Sequence, residues 1–596
     1  MTAEIFSQAS EACSIVNAIR FEELQTIWQS PEVSEDSLAK KHGSDIYPGM
    51  AFMLAREHIE KSKLFNIIRK MPKGALLHCH LTAMVDVTWL INMVLDEIEG
   101  ICMIAPQALS SPEARTTKDF DFTYRSSTTN IGKASIWSDE YTPNTYIPLK
   151  EAAESFPDGG RAGFVSFFVS RSSISLEESI KAQVGPCAVW ERFAACFKPV
   201  SALVNYEPIH RRYLQQLFRD LMADGIRHVD IRSTFTFKWQ AANTEEYSTP
   251  FDGYRESIRV LSEEVAAFQA SEEGKDFWGA RMIWTALRAF DNRAIIESMK
   301  DCIDCKLDFP DIIAGFDFVG QEDAGRSLAD LTPLIFWFRK ACATEQVNIP
   351  FFFHAGETLG SGDEVDHNLF DAITLGTRRL GHGYSLYKHP LLMNMVKDRK
   401  ILVECCPISN EILRLCTSMH NHPLPALLAQ GVPVALCNDD PAMLGQYKLG
   451  MSHDYYQAIQ ALENLGLEGL GALAENSVRW AAFEDLSPKD WTDDIRGGPY
   501  SKVGRGLRAK RMREWKREWE KFCQWILIEY GTDDYGLGGE GEDAVGDDEI
   551  MAALEAVGRD GGLGGRGRRD LSDDEEEGHG GETRPRPKGK ARAWSP

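Results

Sequence analysis

Through the middle of the chain, short apolar runs alternate with longer segments whose apolar residues fall at helical spacing. Eight such runs recur: GALLHCH, IRHVDIR, RMIWTAL, IIAGFDFVG, IPFFFHAGE, RRLGHGY, KILVECCPIS and VPVALCNDD. Each is nearly continuous in apolar residues, the pattern of a parallel strand covered on both faces, whereas alternation marks a half-exposed one. Most are separated by segments that read as helices, such as LADLTPLIFWFRKACATEQ and HPLPALLAQG. Strands alternating with helices in this way predict an α/β fold, a (β/α)8 barrel. The first gap is too long for one helix, so about residues 95–190, including TTKDFDFTYRSSTTNIGKASIWSDEYTPNTYIP, are expected to form an inserted subdomain or lid after the first strand. Residues 1–70, ending in AREHIEKSKLFNIIRK, read as a helical packing arm, and residues 71–530 as the barrel. RGLRAKRMREWKREWEKFCQWILIEY has the period of a long amphipathic helix with a solvated basic face. Beyond it, residues 531–596 are rich in glycine and charge and are expected to be a disordered tail.

Composition narrows the function. A net charge of −24 and a pI near 5.1 exclude nucleic acid and anionic membrane surfaces as expected partners, because both attract basic faces. No apolar window approaches a membrane span, the start MTAEIFSQASEACSIVNAIRFEEL lacks the form of a signal peptide, and no Asn-x-Ser/Thr sequon occurs. The expected compartment is cytoplasmic, with secretion the alternative if the N-terminus is misassigned. The 13 cysteines, odd in number and irregular in spacing, read as reduced thiols. Cys302 and Cys305 form a CxxC with no second pair to complete a thiolate site, and Cys405 and Cys406 read as buried free thiols.

Barrels of this kind carry their chemistry at the C-terminal ends of the strands. There the runs finish in His78 and His80, in Gly320 and Glu322, in His354 and Glu357, in His382, and in Asp439 and Asp440. In an extended strand His78 and His80 share a face and Cys79 takes the other. Imidazole nitrogen with carboxylate oxygen suits zinc better than magnesium or calcium, so His78, His80, His354 and Asp439 are the expected ligands of one ion. Zinc-activated water makes this hydrolytic machinery. Glu357, three residues past a ligand, is the expected general acid, and His382 the residue that orients the nucleophile. Adjacent Asp439 and Asp440 cannot both ionise comfortably, which leaves Asp440 for substrate or nucleophile.

HxH after a Pro-Lys-Gly turn, then FDFVGQEDAG, FFFHAGET, GHG, ECCPISN and NDDPAMLG, in that order, resemble the adenosine deaminase family of metal-dependent amidohydrolases. From roughly Ile59 to Phe522 the likeness is to the branch of adenosine deaminase-related growth factors, or adenosine deaminase 2-like proteins. The resemblance implies His78, His80, His354 and Asp439 on zinc and Glu357 protonating the purine N1. It also implies His382 beside the attacking hydroxide, and Gly320 and Asp440 holding the base. It further implies an N-terminal arm that mediates homodimer formation, and places Trp190 and Phe193 near the substrate pocket. The expected activity is hydrolysis of adenosine or 2′-deoxyadenosine to the inosine product and ammonia. Leu81 and Gln321 stand where the branch usually has Asp and His near the sugar, so a deaminase of adenine or a modified purine nucleoside is the alternative. A non-catalytic nucleoside- or receptor-binding protein is the second alternative, and it predicts broken catalytic positions where these are intact.

Overall fold

Each of the eight apolar runs contains a strand in the computed structural model, which describes residues 3–29, 38–126, 131–180 and 185–531. They are β1 (Gly74–His80), β2 (Ile226–Thr234), β3 (Gly279–Leu287), β4 (Ile313–Val319), β5 (His354–Ala355), β6 (Arg379–His382), β7 (Leu402–Cys405) and β8 (Val434–Leu436). All their pairings are parallel, in the order β1-β2-β3-β4 in one sheet and β5-β6-β7-β8 in the other. Two single parallel bridges join the sheets, Phe316 with Phe351 and Cys79 with Asp439. At the second seam the His80 N–H donates to the Asp439 carbonyl at 3.1 Å and the Asp439 N–H to the His78 carbonyl at 3.2 Å. The ring of strands therefore closes, and the closing contact is made by metal-ligand candidates. Regular pairing in β5 is shorter than the run IPFFFHAGE suggests: Pro350 has no N–H to give and Gly356 turns left-handed at φ +84°.

The barrel interior is filled by charge as well as by apolar side chains. Arg232 donates to Asp317 at 2.9 Å and to Glu404 at 2.7 Å, and also to the carbonyls of Leu77 and Phe352. Arg379 pairs with Glu404 and, at 2.8 Å, with Asp230. All five side chains are wholly buried. Removing one partner would strand a buried charge, a loss of about 3–5 kcal/mol.

Between β1 and β2 the chain builds a small antiparallel sheet from Asp121–Tyr124, Ile101–Ile104 and Ile147–Pro148, in that order, followed by helices that include Gly160–Ser172 and Pro186–Val204. In this insertion Trp137 packs edge to face on Phe156, Phe164 and Phe167. The N-terminal helix Ala3–Glu23 lies along the helix Leu507–Tyr530 and buries Ala12, Ile15, Val16 and Ile19, so the inner face of the arm is taken by its own chain. Cys302, Cys305, Cys405 and Cys406 are buried free thiols. Among the described residues no helix is long and apolar enough to cross a membrane. The segment read as a tail lies outside the described residues from 532 onward.

Candidate active site

Strand alternation turns His78 and His80 toward the barrel mouth and Cys79 into the wall, where it is fully buried. Both imidazoles meet the same oxygen: Nε2 of His78 lies 3.3 Å and Nε2 of His80 3.2 Å from Oδ1 of Asp439. The His354 ring stands 4.5 Å from that of His78, centroid to centroid, and the His382 ring 4.8 Å from it. His78, His354, His382 and Asp439 form one group whose donor atoms lie within 4.8 Å of one another, and His80, Asp439 and Asp440 form a second. Asp439 is common to both. Four elements far apart in sequence thus converge, and His382 comes as near the centre as the four expected ligands.

The partners of the far ring nitrogens set what each imidazole offers. His78 Nδ1 lies 2.8 Å from Glu404 Oε2, and His354 Nδ1 lies 2.6 Å from Asp317 Oδ2. A carboxylate demands an N–H, so on each ring Nδ1 is the donor and Nε2 is the nitrogen left to offer a lone pair to the centre. His78 Nε2 and Asp439 Oδ1 are buried without hydrogen-bond partners among the described residues. Unsatisfied buried donors and acceptors are costly unless a ligand takes them. Burial pushes His354 down to about 3, against the pull of Asp317, and burial likewise lowers His80. Burial would raise Asp439, but the surrounding imidazoles, His382 foremost, hold it well below the usual carboxylate range. Neutral rings around an ionised carboxylate are the donor states a divalent metal requires.

Backbone conformation aims these groups. Asp439 and His382 sit in the left-handed region at φ 58° and 61°, a strain of about 1–3 kcal/mol each that marks functional positions. Between them in space, a Cβ on Gly381 would lie 3.0 Å from His78 Cε1 and 3.1 Å from His354 Cα, so glycine lets β6 pass behind both rings. A Cβ on Gly356 would lie 2.9 Å from Leu369, which makes glycine the residue for the turn between His354 and Glu357.

Glu357 is buried, with Oε1 unpartnered among the described residues and 3.5 Å from His382 Nε2. Burial, then the charges of Asp439 and Glu322, push its carboxyl well above the ordinary range, which favours its protonated form. Asp440 is raised too, by burial and then by Asp439, and its Oδ1 is also unpartnered among the described residues. Gly320 ends β4 at φ +97°. Glu322, beyond the end of β4, braces the turn that carries Glu357: its carboxylate accepts from the backbone N–H of Glu357 at 2.7 Å, from that of Gly356 at 3.0 Å and from Asn368 at 2.8 Å. Trp190 is half-buried on the helix Pro186–Val204, its ring edge-on to Phe193 at 5.3 Å, and that helix packs on the Leu81–Ala83 turn following β1.

Sequence reasoning missed Asp317, Glu404 and Ser409, whose hydroxyl donates to Asp439 Oδ2 at 2.7 Å, and Asn410, which meets His382. The available signal was a charge inside an apolar run, FDF and VEC, where nothing but a buried partner explains it.

Residues 172–496 match the adenosine deaminase family. The chain is 33% identical over 459 residues to adenosine deaminase 2-A of Danio rerio, covering 75% of this chain and 83% of that protein. It is 31% identical over 468 residues to an adenosine deaminase of Lutzomyia longipalpis, with coverage of 78% and 80%. Among solved structures, an amidohydrolase from Burkholderia ambifaria with bound zinc shares the fold at a TM-score of 0.50 and 15% identity, over 81% of this chain and 98% of that one. The family match begins downstream of β1, and His78 and His80 join the site through their contacts with Asp439. With its own fold, its convergent imidazoles and these relatives in agreement, the chain belongs to the adenosine deaminase family.

Proposed function

We propose that this protein hydrolyses adenosine and 2′-deoxyadenosine to inosine and 2′-deoxyinosine with release of ammonia, and that zinc is its metal. The observation that carries this reading is a buried Glu357, its Oε1 unpartnered among the described residues, beside inward lone pairs from His78 and His354 around Asp439. His78, His80, His354 and Asp439 would hold the ion. When bound, zinc acidifies water from a pKa of about 15.7 to about 7, which supplies a nucleophile at neutral pH. Water adds to C6 of the purine while Glu357 gives its proton to N1 and regains one from the attacking water; the C6–N6 bond then breaks as the remaining proton of the new C6 hydroxyl passes to N6, and ammonia leaves. His382 orients the attacking oxygen, and Asp440 and Gly320 hold the base. Burial keeps bulk water from competing for these hydrogen bonds.

The sugar side favours a second reading. Leu81, where the branch resemblance implies an aspartate, is an apolar buried residue, and its carbonyl accepts from the Tyr213 hydroxyl at 2.7 Å. A site lacking that carboxylate discriminates less for a ribose hydroxyl, which suits adenine or a modified purine nucleoside. Purine absorbance distinguishes the two on a panel of adenosine, 2′-deoxyadenosine, adenine and N6-modified nucleosides. Turnover of the first two supports the main reading, and zinc-loaded protein that leaves both untouched rejects it. The same reading assigns homodimer formation to the N-terminal arm, where Phe21 is 60% exposed; light scattering of the full chain and of Phe21→Glu tests it, with dissociation expected.

A further inference from the structure

His382 comes as close to the centre as the expected ligands, yet its far nitrogen meets an amide where His78 and His354 meet carboxylates. Asn410 Nδ2 lies 3.2 Å from His382 Nδ1, and Asn410 Oδ1 lies 3.0 Å from His422 Nε2. The chain of contacts ends on a donor that cannot rotate or flip: the backbone N–H of Leu424 points at His422 Nδ1, at 3.0 Å. Leu424 begins the helix Leu424–Ala429, so this N–H has no intrahelical acceptor.

The consequences follow in sequence. Receiving the Leu424 N–H, a neutral His422 carries its proton on Nε2. That N–H needs an acceptor, which turns Asn410 Oδ1 toward it and Asn410 Nδ2 toward His382. His382 Nδ1 then accepts, and its proton resides on Nε2, the nitrogen that faces Glu357 Oε1 at 3.5 Å and Asp439 Oδ2 at 3.8 Å. The opposite amide orientation would set the Leu424 N–H against an N–H of His422. All three side chains are buried, and burial pushes His422 down to about 3, so that ring is neutral and the chain of contacts fixes one tautomer at each imidazole.

We infer that His422 and Asn410 are positioning residues that fix His382 as the Nε2–H tautomer, a hydrogen-bond donor to the reacting oxygen and not a metal ligand. The inference rests on the deaminase reading for the identity of that oxygen, and on the hydrogen-bond geometry alone for the tautomer. Nothing in the family-like motifs marks His422, which lies outside the strand ends and reaches the centre only through Asn410.

The test uses the full-length, zinc-loaded chain labelled with 15N-histidine. Long-range proton–nitrogen spectra, with His382 assigned by its loss in His382→Gln, are expected to show His382 protonated on Nε2. His422→Gln keeps a side-chain donor for Asn410 and should retain that tautomer and most of kcat. His422→Leu removes the donor; kcat should fall about tenfold or more with KM little changed, the signature of a transition-state contact. Asn410→Asp offers a carboxylate, should draw the His382 proton to Nδ1, and should lower kcat about 100-fold, as expected when a catalytic imidazole is held in the wrong tautomer. An Nδ1 proton on His382 in the unsubstituted protein overturns the inference, as does unchanged kcat in His422→Leu. The spectra read the tautomer whether or not adenosine is turned over, so the inference and the substrate reading fail separately.

Discussion

Two sets of imidazoles share one barrel mouth and differ in what stands behind them. Behind His78 is Glu404, locked by the buried guanidinium groups of Arg232 and Arg379, and behind His354 is Asp317, locked by that of Arg232. Behind His382 stand a neutral amide and a second neutral imidazole. The first arrangement makes a ring that presents a lone pair, and the second a ring that presents a proton. On the tautomer inference, the partner on the far nitrogen, and not nearness to the centre, is what separates an expected ligand from a hydrogen-bond donor. The comparison also explains why the carboxylates needed arginine: two anions inside a barrel would otherwise raise their own pKa values and lose the capacity to hold an N–H.

The largest way to break the distinction is to remove the proton from the donor side. Glu357→Gln keeps the shape and every ligand but has no acidic proton, so kcat should fall about 1,000-fold, within the range of a general acid, with zinc content unchanged by metal analysis. The sign of the pH dependence follows from the raised carboxyl. Activity needs the protonated form, so it persists above the ordinary glutamate range and is lost as pH rises through the folded pKa; raising the pH further should cost about tenfold per unit. A profile with no alkaline limb in the unsubstituted enzyme would remove Glu357 from this role.

On the ligand side, Asp317→Asn replaces the acceptor behind His354 with an amide, which imitates the situation of His382. Metal affinity should weaken about 10–100-fold in competition with a chelator, the usual result of losing the partner of a metal-bound histidine. The unfolding temperature should also drop, because Arg232 loses a buried counter-charge. Unaltered metal affinity would show that the carboxylate brace does not decide which ring is a ligand.

Packing offers a smaller perturbation. Gly381→Ala would push a methyl against His78 and His354, and overpacking of this kind costs about 1–3 kcal/mol where neighbours must move. Reduced thermal stability together with weakened metal binding is expected, since the atoms that must yield are a ring carbon of His78 and the backbone and ring of His354; lowered stability with intact metal binding would place the strain elsewhere.

How much of this was readable beforehand follows from which residues act directly. The eight strands are legible because parallel strands buried on both faces leave uninterrupted apolar runs, and His78, His354 and Asp439 stand out because each interrupts such a run at its polar end. Residues that act through another residue leave weaker marks. Glu322 sits at a strand end like a substrate contact, but its use is fixed by where the 356–357 turn comes to lie, which depends on a partner 35 residues away. His422 carries no local sign at all, since HPLPALLAQG reads only as a helix and its entrance. The small sheet of the insertion escapes strand patterning because its strands are four residues or fewer, too short for a period to show.

The finest test concerns Asp439, whose Oδ2 accepts from the Ser409 hydroxyl at 2.7 Å while its Oδ1 faces His78 and His80. A neutral hydrogen bond contributes about 0.5–1.5 kcal/mol, against a larger contribution from the charged brace behind His354. Ser409→Ala should therefore weaken metal binding only about two- to tenfold and leave the pH profile in place, because neither Glu357 nor His382 loses a partner. If Ser409→Ala instead matched Asp317→Asn in chelator competition, the difference between charged and neutral bracing would not be what ranks these ligands, and the hydroxyl would have to act by holding Asp439 in its left-handed conformation at φ 58°.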